Sequence, residues 1–327
     1  MPTDGFLSAD NFDSRLPQLK NRVIVLLGGD SAEREISLQS GVAVSEALLA
    51  AGYPVIQVDP SRQKIAEFDW AVDDFAFLAL HGTHGEDGTI QQQLDQLHIC
   101  YTGSHAEASA LAFHKRAAKE RFLGNELLTP DFRTISIEMD DAAVQHHARE
   151  LGYPLVVKPE AQGSSLGVSI LTSPQQLASA VRVARELDEL ILLEKAIEGQ
   201  EWTVPVLDDR ALFPIRIGTP HQFFDFEAKY LDEETRYDVM MDLQDRIVLQ
   251  VQQLSLAACQ SLGCRGISRV DLRVDAAGRA WLLEVNTIPG MTQHSLVPKS
   301  ALAAGWSMSR LCEEILFSAM RTKTQES

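Results

Sequence analysis

The chain reads as an α/β protein in which a parallel-sheet βαβ domain at the N-terminus is followed by two further α+β units. Three observations predict this. Strand-like and helix-like periods alternate through the first third of the sequence. The middle runs strand, Gly-Ser loop, strand, helix, strand. Near the C-terminus two stretches of period two carry four polar groups on one face of a hairpin.

Residues 1–20 are polar, contain Pro2 and Pro17 and lack periodicity, so they are expected to be a loose extension. Residues 23–27 are the first apolar strand. A helix is expected from about residue 37 to Gly52, then strands at 55–58 and 75–80. This alternation calls for a parallel sheet, in which ligands bind beyond the carboxyl ends of the strands. Those ends carry Gly28-Gly29-Asp30-Ser31 and His81-Gly82-Thr83-His84-Gly85-Glu86-Asp87-Gly88. Glu33 and Glu35 flank Arg34 just after the first turn. Acids there match the helix dipole, and a glutamate can equally bind an ammonium group.

Ser104 and Glu107 have the spacing of a capping box opening the helix that carries Lys115. A short strand at 154–159 contains Lys158. Gly163-Ser164-Ser165-Leu166-Gly167 then leads into a strand at 168–171. The GxSxG match does not indicate a hydrolase, because that chemistry needs a helix after the serine turn. A phosphate lid or a plain surface hairpin remains. Ser173, Pro174 and Gln176 cap a helix whose apolar face is Leu177, Ala180, Val181, Ala184 and Leu187, and the strand at 190–193 runs into Glu194 and Lys195.

The last unit holds strands at 203–207 and 213–217, a helix at 246–262 and the polar hairpin. Arg269 and Asp271 alternate with Val270 and Leu272, and Glu284 and Asn286 alternate with Leu283 and Val285. If the hairpin closes without a bulge about Ala277-Gly278, Asp271 faces Glu284 and Arg269 faces Asn286. Two carboxylates about 5 Å apart repel by roughly 3 kcal/mol at an effective dielectric near 20. Something positive belongs between them: Arg269, or a hard divalent cation such as Mg²⁺ completed by phosphate. A solvated ion-pair face is the simpler alternative.

Composition sets outer bounds. At 327 residues, with 45% hydrophobic and 23% charged residues, the chain can bury two or three cores. A net charge of −17 argues against nucleic acid or an anionic membrane as the main partner. Cys100, Cys259, Cys264 and Cys312 lack metal-ligand or CxxC spacing, and no basic segment followed by an apolar run opens the sequence. Reduced thiols in the cytoplasm are expected. GxGxxG and Walker A patterns are absent, leaving Lys115, Lys158 and Lys229 as candidate phosphate ligands. His81 and His84 lack convincing zinc spacing and suit substrate contact or loop structure better.

The stretch Leu26-Leu27-Gly28-Gly29-Asp30-Ser31-Ala32-Glu33-Arg34-Glu35, His81-Gly82 with Gly85-Glu86-Asp87-Gly88, Lys158-Pro159 with Gly163-Ser164-Ser165, Glu227-Ala228-Lys229-Tyr230 and residues 284–298 occur in this order. Together they resemble the D-alanine–D-alanine ligases, members of the ATP-grasp superfamily, from about residue 21 to near the C-terminus. The resemblance implies an N-terminal α/β substrate domain at 21–103 followed by a two-part ATP-grasp fold, at 104–198 and 199–327, with ATP between the two parts. It implies that Lys115, Lys158 and Lys229 approach the phosphates, that Glu194 and Lys195 lie by the adenine and Glu201 by the ribose, and that Ile197 and Leu283 complete the ATP site. Asp271, Glu284 and Asn286 would hold two Mg²⁺, or Mn²⁺ in their place.

Glu33, supported by His81, would take the ammonium of the first D-alanine. Ser164 and Tyr230 would close a lid on Glu33, Arg269 and the Gly290 amide would form the oxyanion site, and Ser295 and Leu296 would receive the second D-alanine. A cytoplasmic homodimer serving peptidoglycan precursor synthesis is part of what the resemblance implies. Tyr230 is expected to favour D-alanine over D-lactate as acceptor. Ala196, Phe224 and Tyr237-Asp238-Val239-Met240 depart from the common pattern and bear on nucleotide affinity and lid closure.

Overall fold

Four short apolar runs build the first sheet: β1 (Val23–Leu26), β2 (Val55–Val58), β3 (Phe75–Leu78) and β4 (Cys100–Tyr101), paired in parallel in the order β2-β1-β3-β4. Every residue of β1 and β3 is buried, as expected of strands covered on both faces. The winding reverses between these two strands. Their carboxyl ends therefore open a crevice, into which Gly28, Gly29, His81 and Gly82 lead. Helix α1 (Arg34–Ala50) begins three residues before the expected start, and α2 (Thr89–Gln96) follows the second glycine-rich loop. The computed structural model describes residues 22–164, 166–218 and 235–326; the expected extension at 1–20, Ser165, Phe224, Lys229 and Tyr230 lie outside them.

The capping box expected at Ser104 does not form. The chain makes two helices there, α3 (Ala106–Phe113), preceded by His105, and α4 (Lys115–Gly124), so Lys115 opens its own helix. Ser104 is used across the fold instead: its hydroxyl lies 3.2 Å from both the carbonyl oxygen and the N–H of Arg265.

A second, antiparallel sheet has the order β5-β8-β6-β7, from β5 (Phe132–Ser136), β6 (Leu155–Pro159), β7 (Ser169–Leu171) and β8 (Leu190–Lys195). Helices α5 (Asp141–Leu151) and α6 (Leu177–Arg185) pack on it through Val144, Ala148, Leu177, Val181 and Ala184. The Ser173/Gln176 capping box forms as expected, on the short 3₁₀ turn before α6. Leu187 is a correction: α6 ends before it, and its side chain is 41% exposed.

The third sheet runs β12-β11-β9-β13-β14, with β10 against β9. Its strands are β9 (Gln200–Leu207), β10 (Arg210–Ala211), β11 (Ile215–Gly218), β12 (Arg236–Val239), β13 (Ile267–Val274) and β14 (Ala280–Asn286). Helix α7 (Arg246–Leu262) covers it, started by the Asp245 carboxylate, which accepts from the N–H groups of Ile247 and Val248, and ended by Gly263 at φ 72°. Helices α8 (Leu296–Ala303) and α9 (Met308–Glu326) follow. Leu311, Ile315 and Leu316 of α9 share one core with Val44 and Leu48 of α1.

The hairpin β13-β14 pairs Asp271 with Glu284 and Arg269 with Asn286, as expected, but by another route. Its turn is wider, with Val274 opposite Ala280 and Gly278 at φ 76°. That shifts the pairing by one residue. A β-bulge between Asp271 and Leu272, where Leu283 is the extra residue on β14, restores it. All four cysteines are free. Among the described residues, no helix is long and apolar enough to cross a membrane.

Candidate active site

Two cavities, of about 300 Å³ and about 110 Å³, meet at the hairpin face, and Glu201, Asp271 and Glu284 belong to the walls of both. Strand pleating brings the carboxylates there, and the neighbouring Val270 and Val285 are buried in the core behind them. Asp271 accepts from Arg269 Nε at 2.9 Å and Nη2 at 2.7 Å, from Thr203 Oγ1 at 2.6 Å and from Asn286 Nδ2 at 3.2 Å. Arg269 is thus the counter-ion of Asp271 in this state. Glu284 lies 3.7 Å from Lys115 Nζ, which donates to the Gln162 carbonyl at 2.6 Å.

The smaller cavity combines the apolar walls Val156, Ile170, Ile197 and Leu283 with Lys115, Lys158 and Glu194. That mixture suits a flat heterocycle continued by anionic groups. Lys158 Nζ lies 3.2 Å from one oxygen of Glu194, and Lys119 Nζ lies 2.7 Å from the other. Burial alone would raise the Glu194 carboxyl, but the two ammonium groups hold it below its ordinary range. Lys119 is fully buried, and burial pulls its ammonium down to about 8 against the opposing attraction of Glu194. The Ile197 carbonyl accepts from Arg273 at 3.0 Å, and Arg273 in turn lies 3.8 Å from Glu201. Lys195, expected by the adenine, has an exposed side chain that is not on the cavity wall.

The larger cavity brings together Glu33, His81, Ser164, Arg269, Gly290, Ser295 and Leu296. Glu33 sits at the start of α1, where its carboxylate accepts from the Ser164 hydroxyl, so Ser164 reaches the N-terminal end of that helix. His81 Nδ1 lies 2.9 Å from the Ile288 carbonyl and 3.3 Å from Glu86. Burial raises the Glu86 carboxyl; the His81 hydrogen bond opposes this and the charge of Glu33 adds to it. Ser295 opens α8 and takes the Thr292 N–H at 3.0 Å, and Leu296 is the first helical residue, a position whose N–H favours a carboxylate. Tyr237, in the run that departs from the common pattern, also lines this cavity.

A strand, not a helix, follows Gly167, so the serine-hydrolase geometry is absent. No group of three or more His, Cys, Asp or Glu able to hold a metal occurs among the described residues. The site instead offers two carboxylates and an amide, an all-oxygen donor set that fits Mg²⁺ when phosphate and water complete the shell. Sequence reasoning missed Lys119, Thr203, Arg273 and the pairing of Glu86 with His81. Two of these carried a signal: Lys119 lies one helical turn beyond Lys115 on the same face of α4, and Arg273 follows Asp271 by two on the same face of β13.

The family model described as D-ala D-ala ligase C-terminus matches residues 127–317. The chain is 47% identical over 295 residues to the D-alanine–D-alanine ligase of Marinobacter nauticus, covering 90% of each. The chain belongs to the D-alanine–D-alanine ligase family. Among solved members of the family, the ligase from Bacillus anthracis superimposes with a TM-score of 0.84 at 36% identity, covering 94% of this chain and 100% of that one. The same organism's ligase complexed with ATP gives 0.80 at 32% identity, again over 94% and 100%. The expected ATP-grasp fold behind a parallel-sheet N-terminal unit is therefore correct.

Proposed function

We propose that this protein uses ATP to join two D-alanine molecules through a D-alanyl phosphate, releasing ADP and phosphate and supplying the dipeptide for peptidoglycan precursors. The ammonium of the first D-alanine binds Glu33, with His81 behind it. Its carboxylate oxygen forms a bond to the γ-phosphorus as the bond to ADP breaks. The amine of the second D-alanine, held by its carboxylate at Ser295 and the Leu296 N–H, attacks the acyl carbon. Arg269 and the Gly290 N–H stabilise the oxyanion, and phosphate leaves.

Lys115, Lys158 and Lys229 neutralise the phosphates, while Glu194, Lys195, Ile197, Glu201 and Leu283 hold the nucleoside. Asp271, Glu284 and Asn286 would hold two Mg²⁺ or Mn²⁺, which neutralise charge on the phosphate oxygens when bound. The Gly163–Gly167 loop and the segment with Tyr230 exclude water from the acyl phosphate. The substrate domain at 21–103, the ATP-grasp parts at 104–198 and 199–327, a homodimer and the cytoplasm belong to the same reading.

The observation that carries it is the shared wall: Glu201, Asp271 and Glu284 line both cavities, so a phosphate end in one lies against a carboxylate in the other. Phosphate release measured with D-alanine, L-alanine, D-serine and D-lactate tests it. The expected result is turnover with D-alanine far above the others. ATP turnover indifferent to D-alanine would end the proposal, and faster ligation to D-lactate at neutral pH would end the acceptor role given to Tyr230.

A further inference from the structure

Ser40 belongs to no expected site, yet it is fully buried and touches two parts of the active-site framework. Its Oγ lies 3.1 Å from His81 Nε2 and 3.1 Å from the Met291 N–H. The direction of each bond follows from the chemistry. A carbonyl can only accept, so His81 Nδ1 donates to Ile288 at 2.9 Å. The tautomer that makes Nδ1 the donor makes Nε2 the acceptor of the Ser40 O–H, and the hydroxyl lone pairs receive the Met291 N–H. Ser45, five residues further along α1, does what helical serines commonly do and donates back to the Gly41 carbonyl at 2.7 Å.

The two pins flank Pro289-Gly290. His81 holds the carbonyl before this dipeptide and Ser40 holds the N–H after it. Proline has no N–H, so Gly290, which lines the larger cavity, supplies the dipeptide's one N–H. Ser40 stands seven positions after Glu33, two turns along α1. One rigid helix therefore carries the group that takes the substrate ammonium and the group that fixes the loop facing its carboxyl carbon.

We propose that Ser40 is a positioning residue: through Met291 and His81 it sets the Gly290 amide relative to Glu33. The inference rests on the ligase reading above. For Ser40→Ala in the full-length protein, kcat should fall roughly 10- to 100-fold. The KM values for ATP and the first D-alanine should stay within about threefold. Affinity for a dipeptide analogue with a tetrahedral phosphinate at the acyl carbon should fall by the same factor as kcat/KM.

Ser40→Cys, which keeps a weak donor, should recover part of the loss, and Ser45→Ala should match the parent. If Ser40→Ala does not fold, the same comparison is read from Ser40→Cys. Unchanged kcat, or a loss of kcat with undiminished phosphinate affinity, overturns the inference while leaving the ligase reading intact. A parent protein without D-alanine-dependent turnover overturns both.

Discussion

Replacing Gly163 by alanine isolates the contact between the Gly-Ser loop and the N-terminal unit. Gly163 is not among the residues with positive φ, so alanine meets no backbone strain there. Its Cβ would lie 3.0 Å from Glu33 Cδ and 3.3 Å from Oε1, and nearer still to Oε2. Restoring van der Waals separation moves the carboxylate or the loop by about 1 Å and opens the Ser164 contact, a displacement that costs on the order of 100-fold in rate. That corresponds to about 2.7 kcal/mol of transition-state stabilisation. Gly163 is only partly buried and the atoms in the way end a side chain, so stability should change by less than about 0.5 kcal/mol.

The assay is kcat/KM from phosphate release with D-alanine, paired with a urea melt. Gly124→Ala, whose Cβ meets nothing within 4 Å, is the control expected to behave as the parent. A Gly163→Ala enzyme within threefold of the parent would refute the reasoning, as would a rate loss matched by lost stability.

The hairpin and the buried lysine yield two further tests. Glu284→Gln removes one of two facing carboxylates and should lower Mg²⁺-dependent turnover at least ~100-fold with an unchanged melting temperature; near-parent activity across a magnesium titration would remove Glu284 from the proposed metal site. Lys119 has its ammonium pulled down to about 8 by burial, against about 10.4 in an unfolded chain. Between these values the unfolded state holds the proton that the native state gives up, so this group's contribution to stability rises with pH. From pH 7 to 9.5 the gain is about 2 kcal/mol, and Lys119→Met should lack it. Urea melts at the two pH values check this, and parallel changes in parent and variant would show that Lys119 titrates normally.

Much of the architecture was legible because local periods report burial directly. The apolar runs of β1 and β3, the α7 helix and the polar face of β13-β14 could all be read from alternation or helical spacing. Misses arose where distant groups decide the outcome. Ser104 left its local capping partner for Arg265, and the bulge at Leu283 compensates for a turn whose width no hairpin pattern announces. Strand β5 and helix α5 went unmarked, since β5 mixes Arg133, Thr134 and Ser136 with its apolar residues and shows no clear face. The contacts joining Glu33 to Ser164 and His81 to Ile288 link residues 131 and 207 positions apart. No local period encodes such pairs, and resemblance to a family pointed to only some of their members.

The packing of α9 on α1 bears on the order in which the chain acquires its structure. Tyr53, just past α1, donates to Glu313 at 3.2 Å, and Ser309 donates to the Ala47 carbonyl at 2.8 Å, so the first core is completed by a helix about 260 residues further along the chain. At ribosomal speeds of about 5–20 residues per second, the apolar side of α1 waits roughly 15–55 s for its cover. During synthesis that apolar side stays open to solvent, and the same interval is when two nascent copies have most opportunity to exchange α9.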